Sequence, residues 1–241
     1  MDARAEPKAS AITANSESQA AMAQLKQPPQ PRRPSYIMLA NMTILVLVLV
    51  ASGLVPLKDV LFAVFASAYF VAMGKFVYPS PTKERPPSVF PKNRLLGYYV
   101  GVAGIIAIPF PAAYILGSFV KGDQVAMTSA APHLFLLVCQ VLTEMTVASM
   151  VTAVSLPVRA LVPILYNSRR LVTLSAWLEF EFARAPSDSA SFQWIMFGRG
   201  LATVNMAVWT FNLLGFLLPV YLPLVMRMHY DLERLSKEHR S

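Results

Sequence analysis

The sequence predicts an all-α polytopic membrane protein, a bundle of about five transmembrane helices plus one interfacial amphipathic helix. Three observations lead there. Of 241 residues, 55% are hydrophobic and only 14% are charged, with a mean hydropathy of +0.48, whereas a soluble domain carries about 25% charged residues. The apolar residues fall in long blocks separated by short basic stretches, and 21 Lys and Arg against 13 Asp and Glu leave a net charge of +8. The sole cysteine, Cys139, lies inside an apolar run, which excludes a disulfide scaffold or zinc module. No cofactor and no metal are expected.

Residues 1–35 are rich in Ala, Ser, Gln and Pro and read as a disordered tail. No apolar core of a secretory signal precedes Ile37, so the tail is expected to stay on the mature chain. Asp2, Glu6 and Glu17 argue against an organelle transit peptide, favouring a secretory-pathway membrane over a plastid. Five weakly charged stretches, about 36–56, 60–78, 95–120, 132–154 and 200–226, can each cross roughly 30 Å of hydrocarbon. Pro109 and Pro111 should kink the third. Residues 158–184 carry Arg159, Arg169, Arg170, Glu179, Glu181 and Arg184 between apolar residues, a pattern that suits a helix lying in the interface. A charged tail, 227–241, follows the last span.

With five crossings, fifteen Lys and Arg fall on the face holding the N-terminus and six on the other. The first face, and with it the N-terminus, should be cytoplasmic. The misfit is the C-terminal tail, whose four basic residues would lie on the far side. If Val158 to Ala183 crossed as well, that tail would become cytoplasmic, but two Glu and three Arg would enter the membrane at a cost of several kcal/mol.

Glu144 falls near the middle of the fourth expected span, where an ionisable residue points to function. His133, Gln140 and Glu144 share one helical face by their spacing. On the fifth span Asn205, Trp209 and Asn212 share another. These faces are expected to meet in a polar seam of Glu144, Gln140, Asn212 and Asn205, with His133 at one mouth and Arg199 at the other. Two readings stay open: a carboxyl that carries a proton or cation, or interhelical hydrogen bonds that hold helices together at about 0.6 kcal/mol each. The second is preferred, because a relay normally needs several acids.

Gly97, Gly101 and Gly104 allow close backbone approach, read here as intramolecular packing. Tyr36, Tyr98, Tyr99, Trp177, Trp194 and Tyr221 read as an aromatic belt. The sequence holds no GxSxG, HExxH, Walker or GxGxxG motif, so no enzyme is expected. Arg159, Arg169 and Arg170 are the expected contacts for anionic lipid headgroups. Because the basic residues are spread over separate loops, nucleic acid is not an expected partner.

The run Pro132 to Glu144, and the run Leu156 to Tyr166 followed by Arg169 and Arg170, resemble a plant family of multi-pass membrane proteins known only as a domain of unknown function. The likeness spans roughly 35–230. It implies the membrane class and a plant source, and transfers no role to any residue. The expectation is a non-enzymatic scaffold or accessory component acting through lipids or a membrane-protein partner. The alternative is a small proton-coupled transporter or channel using Glu144.

Overall fold

The computed structural model describes residues 36–81, 89–90, 93–150, 153–186 and 191–238. The expected disordered tail and the last residues of the charged C-terminal tail lie outside them. The described residues are helical and contain no strand. Helix α1 is Tyr36–Ala51, α2 is Leu57–Ala72 with a π-helical end Met73–Val77, α3 is Arg94–Ala107 and α4 is Pro109–Val120. Helix α5 is Gln124–Ser149 and α6 is Leu156–Ala183. A final continuous helix runs as α7, Phe192–Thr210, a π-helical stretch Phe211–Tyr221, and α8, Leu222–Glu238.

Four helices are long and apolar enough to cross a membrane: Leu57–Val77, Arg94–Val120, Gln124–Ser149 and Phe192–Glu238. They correspond to four of the five expected spans. The first expected span is shorter than its apolar stretch, because α1 has 16 residues, about 24 Å at 1.5 Å per residue. The turn after it uses Gly53 at φ 70°, a left-handed conformation that glycine adopts without strain. The break expected at Pro109 is found: the helix ends at Ala107 and restarts at Pro109, where a proline at the first position gives up only an already orphaned donor. Between α4 and α5 the chain turns through Gly122, again at φ 70°. Asp123 then caps α5, its Oδ1 accepting from the Ala126 amide at 3.1 Å.

Helix α6 covers the segment 158–184 expected to lie in the interface. It packs antiparallel to α5 along nearly the whole of both helices. At one end Arg184 pairs with Asp123. Tyr166 and Thr143 bond at 2.9 Å midway, and at the other end Arg159 and Glu144 line one cavity. The polar stripe that suggested a membrane surface points instead at neighbouring helices: Asn167, Arg170 and Glu181 are all fully buried.

The bundle therefore has two distinguishable ends. One gathers the end of α2, the start of α6 and α8: the Ser155 amide donates to the Tyr78 carbonyl at 3.3 Å, the Ser236 hydroxyl bonds the Pro81 carbonyl at 3.2 Å, and Leu156, Ala160 and Val225 form a small core with Val89 and Leu232. In α8 beyond it, Lys237 bonds Glu233 at 2.9 Å and holds that carboxyl below its usual range. The opposite end gathers Asp123, Arg184 and Arg199, whose guanidinium donates to the carbonyls of Glu181, Phe182 and Arg184.

Several polar and ionisable side chains are buried, while many large apolar ones face outward. Phe65, Leu116, Phe119, Val120 and Leu214 are each about 60% exposed or more, while Asp59, His133, Arg170 and Glu181 are at 0%. A water-soluble protein arranges these classes the other way round.

Candidate functional site

The α5–α6 interface carries a chain of polar side chains. Arg170 Nη2 donates to Gln140 Oε1, and Gln140 Nε2 donates to Glu144 Oε1 at 2.8 Å. Because a guanidinium only donates and a carboxylate only accepts, these neighbours fix which way the Gln140 amide faces. The Arg170 guanidinium lies 4.0 Å from the centre of the Trp209 ring, a stacking contact that offsets part of its desolvation. Asn167 Nδ2 donates to the Trp209 carbonyl at 3.3 Å, so α6 grips α7 on both sides of the same residue.

Part of the expected seam is assembled and part is not. Gln140 and Glu144 are together. His133 is not at a mouth but fully buried, 6.2 Å from the Trp177 ring and 6.3 Å from the Trp209 ring, with Asn205 and the Ala107 carbonyl beside it. Asn205 donates to the Leu201 carbonyl at 3.0 Å and to the Ile106 carbonyl at 3.4 Å. Asn212 is turned away from Glu144 and accepts from the Tyr99 hydroxyl at 3.1 Å. Asn205 and Asn212 do share a face, as their spacing predicts, but it is turned to α3, where they meet Ile106 and Tyr99. Arg199 lies at the opposite end from Glu144, holding backbone carbonyls.

Glu144 is also not central. Helix α5 starts at Gln124 and ends at Ser149, placing Glu144 only about 7.5 Å from its end at 1.5 Å per residue. There it lines a cavity of about 210 Å³ with Val147, Ala148, Arg159, Pro163 and Tyr221.

The three expected headgroup contacts separate. Arg170 is excluded as a lipid contact because it is sealed in the core. Arg169 is held by Asp59 at 2.6 Å and ties α6 to the start of α2. Arg159 is partly exposed and lines the cavity beside Glu144. The aromatic belt also loses a member, since Trp177 is completely buried and donates to Glu181 at 3.1 Å.

Two clusters escaped the sequence reading. Tyr166 meets Thr143 at 2.9 Å, Ser67 at 3.3 Å and the Ala63 carbonyl at 3.3 Å, joining α2, α5 and α6. At the far end Glu181 accepts from Tyr114 and Trp177, while Arg184 reaches Asp123 and Tyr114. The spacing of Glu181 and Arg184 and the capping position of Asp123 were visible signals, but their pairing spans more than sixty residues of chain. Among the described residues no group of three His, Cys, Asp or Glu is placed to hold a metal.

A family model matches residues 35–230, and its description is a domain of unknown function, DUF7733. The chain belongs to this family. The match covers every helix named above except the last turns of α8, so the α5–α6 polar chain and the cavity beside it lie within the family's domain. No curated protein and no solved structure matches the chain.

Proposed function

We propose that this DUF7733 protein is an integral membrane protein without enzymatic activity, an accessory or scaffold component that acts through lipids or a membrane-protein partner. The single observation behind this reading is how its polar side chains are used. Arg170, Gln140, Tyr166, Thr143, Arg169, Asp59, Arg184 and Asp123 are engaged in helix-to-helix contacts, which hold a bundle rigid rather than open a path. In this reading the chain crosses six times, as α1, α2, α3 with α4, α5, α6, and α7 continuing to α8. The charges of α6 are shielded by the helices around it, and the short α1 is accommodated by a modest thinning of the bilayer. Both termini then lie on the cytoplasmic side, which removes the misfit of the basic C-terminal tail. A secretory-pathway membrane and a plant source complete the proposal, resting on the tail composition and the family resemblance alone.

The competing reading, proton-coupled transport through Glu144, is tested by reconstituting the full chain in sealed vesicles. An imposed pH gradient should decay no faster than in vesicles without protein. A proton flux that Glu144→Gln abolishes would overturn the scaffold reading.

A further inference from the structure

We propose that Tyr114, Trp177 and the Glu181 carboxylate form a radical trap, which takes up one-electron oxidation from lipid peroxyl radicals through Trp194. The inference goes beyond the scaffold reading and shares with it only the premise that the bundle lies in a bilayer.

The rings come first. Trp194 stacks on Tyr114 with ring centres 5.2 Å apart, and Tyr114 meets Trp177 at 5.7 Å. Tyrosine and tryptophan are the ring side chains that give up an electron most readily, and these three stand in unbroken contact. Trp194 is partly exposed near the start of α7, whereas Tyr114 and Trp177 are fully buried. An oxidant outside the bundle therefore meets Trp194 and not the other two.

Proton acceptors decide where the electron deficit comes to rest. A buried ring loses an electron more easily when its proton leaves as well, because a neutral radical then forms instead of a buried cation. Glu181 Oε1 accepts from the Tyr114 hydroxyl and, at 3.1 Å, from Trp177 Nε1, so one carboxylate serves both. Arg184 donates to the Tyr114 oxygen at 3.1 Å, a bond that survives loss of the phenolic proton. By contrast, Trp194 Nε1 and Trp209 Nε1 are buried with no hydrogen-bond partner among the described residues. Each of those rings also has a cation over it, Lys121 at 5.4 Å and Arg170 at 4.0 Å, which opposes positive charge there. Oxidation entering at Trp194 thus drains to Tyr114 and Trp177, and Arg170 stops it from passing His133 to Trp209. Packing alone does not require a carboxylate at 0% exposure among these rings, where its desolvation is costly.

The step balances. The peroxyl radical takes an electron from Trp194 and a proton from water, and leaves as a hydroperoxide. Tyr114 returns an electron to Trp194 while its phenolic proton passes to Glu181. The products are the hydroperoxide, a neutral Tyr114 phenoxyl radical and a protonated Glu181.

The test is electron paramagnetic resonance of the full chain, frozen after oxidation in two ways. In detergent the oxidant is photo-excited tris(bipyridine)ruthenium with persulfate; in liposomes it is a lipid-soluble azo initiator under oxygen, which generates peroxyl radicals. Both should give a neutral tyrosyl signal, and Tyr114→Phe should remove most of it. Glu181→Gln keeps a hydrogen-bond acceptor that cannot take the proton, and should abolish the signal in a protein that keeps its helical circular dichroism. Trp194→Phe, which removes no buried charge, should lower the yield in liposomes severalfold and decides the matter if Glu181→Gln fails to fold. A tyrosyl signal absent from the unmodified protein, surviving Tyr114→Phe, or unchanged in folded Glu181→Gln or in Trp194→Phe overturns the proposal. A signal from the ruthenium oxidant but none from the initiator overturns the lipid radical as its source. Alkaline carbonate extraction keeps the two readings apart: release into the supernatant defeats the membrane reading, whereas a pelleted protein without the tyrosyl signal defeats only the trap.

Discussion

Gln140 carries more of this molecule than its neutral side chain suggests. It is the acceptor for a fully buried guanidinium and the donor to Glu144. Removing one partner of a buried charge leaves the other uncompensated at about 3–5 kcal/mol, while replacing the whole polar group by apolar side chains is often neutral. Gln140→Leu should therefore destabilise by about 3–5 kcal/mol, and Gln140→Leu with Arg170→Met should recover most of that loss, as read by thermal unfolding in detergent. If the double variant is less stable than the single one, Arg170 is held by contacts other than Gln140. Tyr166 is the second residue of this kind. Its hydroxyl bonds three groups on two neighbouring helices, yet interhelical hydrogen bonds in membrane bundles average only about 0.6 kcal/mol. Tyr166→Phe should thus cost about 1 kcal/mol, and a loss of several would mean that the hydroxyl anchors more than these bonds.

The glycines divide the helices into packed and open faces. A methyl group added at Gly198 on α7 would lie 2.5 Å from a Glu181 carboxylate oxygen and 2.8 Å from the Tyr114 hydroxyl. One added at Gly97, Gly101 or Gly104 on α3 would meet nothing within 4 Å. Among the described residues the small-residue pattern on α3 is thus not used for packing, contrary to the expectation from its spacing. Gly198→Ala should destabilise by about 1–3 kcal/mol through overpacking. Gly101→Ala should be neutral or stabilising by up to about 1 kcal/mol, because it removes backbone entropy from a helix interior. Thermal unfolding of the two variants side by side decides the matter, and equal destabilisation by both would contradict the packing described here. The junction of α4 and α5 makes a matching case. Asp123 both caps α5 and pairs with Arg184, so Asp123→Ala should cost more than the roughly 1 kcal/mol of a lost cap alone.

For the molecule as a whole, the proposed six crossings would put both termini on one side of the membrane. The sole cysteine, Cys139, is buried, so cysteines introduced as Ser10→Cys and Ser241→Cys can be read separately with an impermeant maleimide on sealed vesicles. Both should be accessible from the same side. Labelling of one and protection of the other is what five crossings require, and would return α6 to the interface.

Composition and block length determined the helical, apolar character of this protein, because a chain with so few charges has too little polar surface to face water. The break at Pro109, the turn at Gly122 and the Gln140–Glu144 contact were also legible, since each depends on residues within a turn or two along the chain. The direction of α6 was not. Charges spaced among apolar residues look alike whether they face headgroups or a polar interior, and their partners Asp59, Gln140 and Asp123 are brought in from 30 to 110 residues away. The depth of Glu144 was hidden for a related reason. Hydropathy locates an apolar stretch, but α5 begins at the cap Asp123, ahead of that stretch, and the tertiary structure alone brought Glu144 and Arg159 to line one cavity.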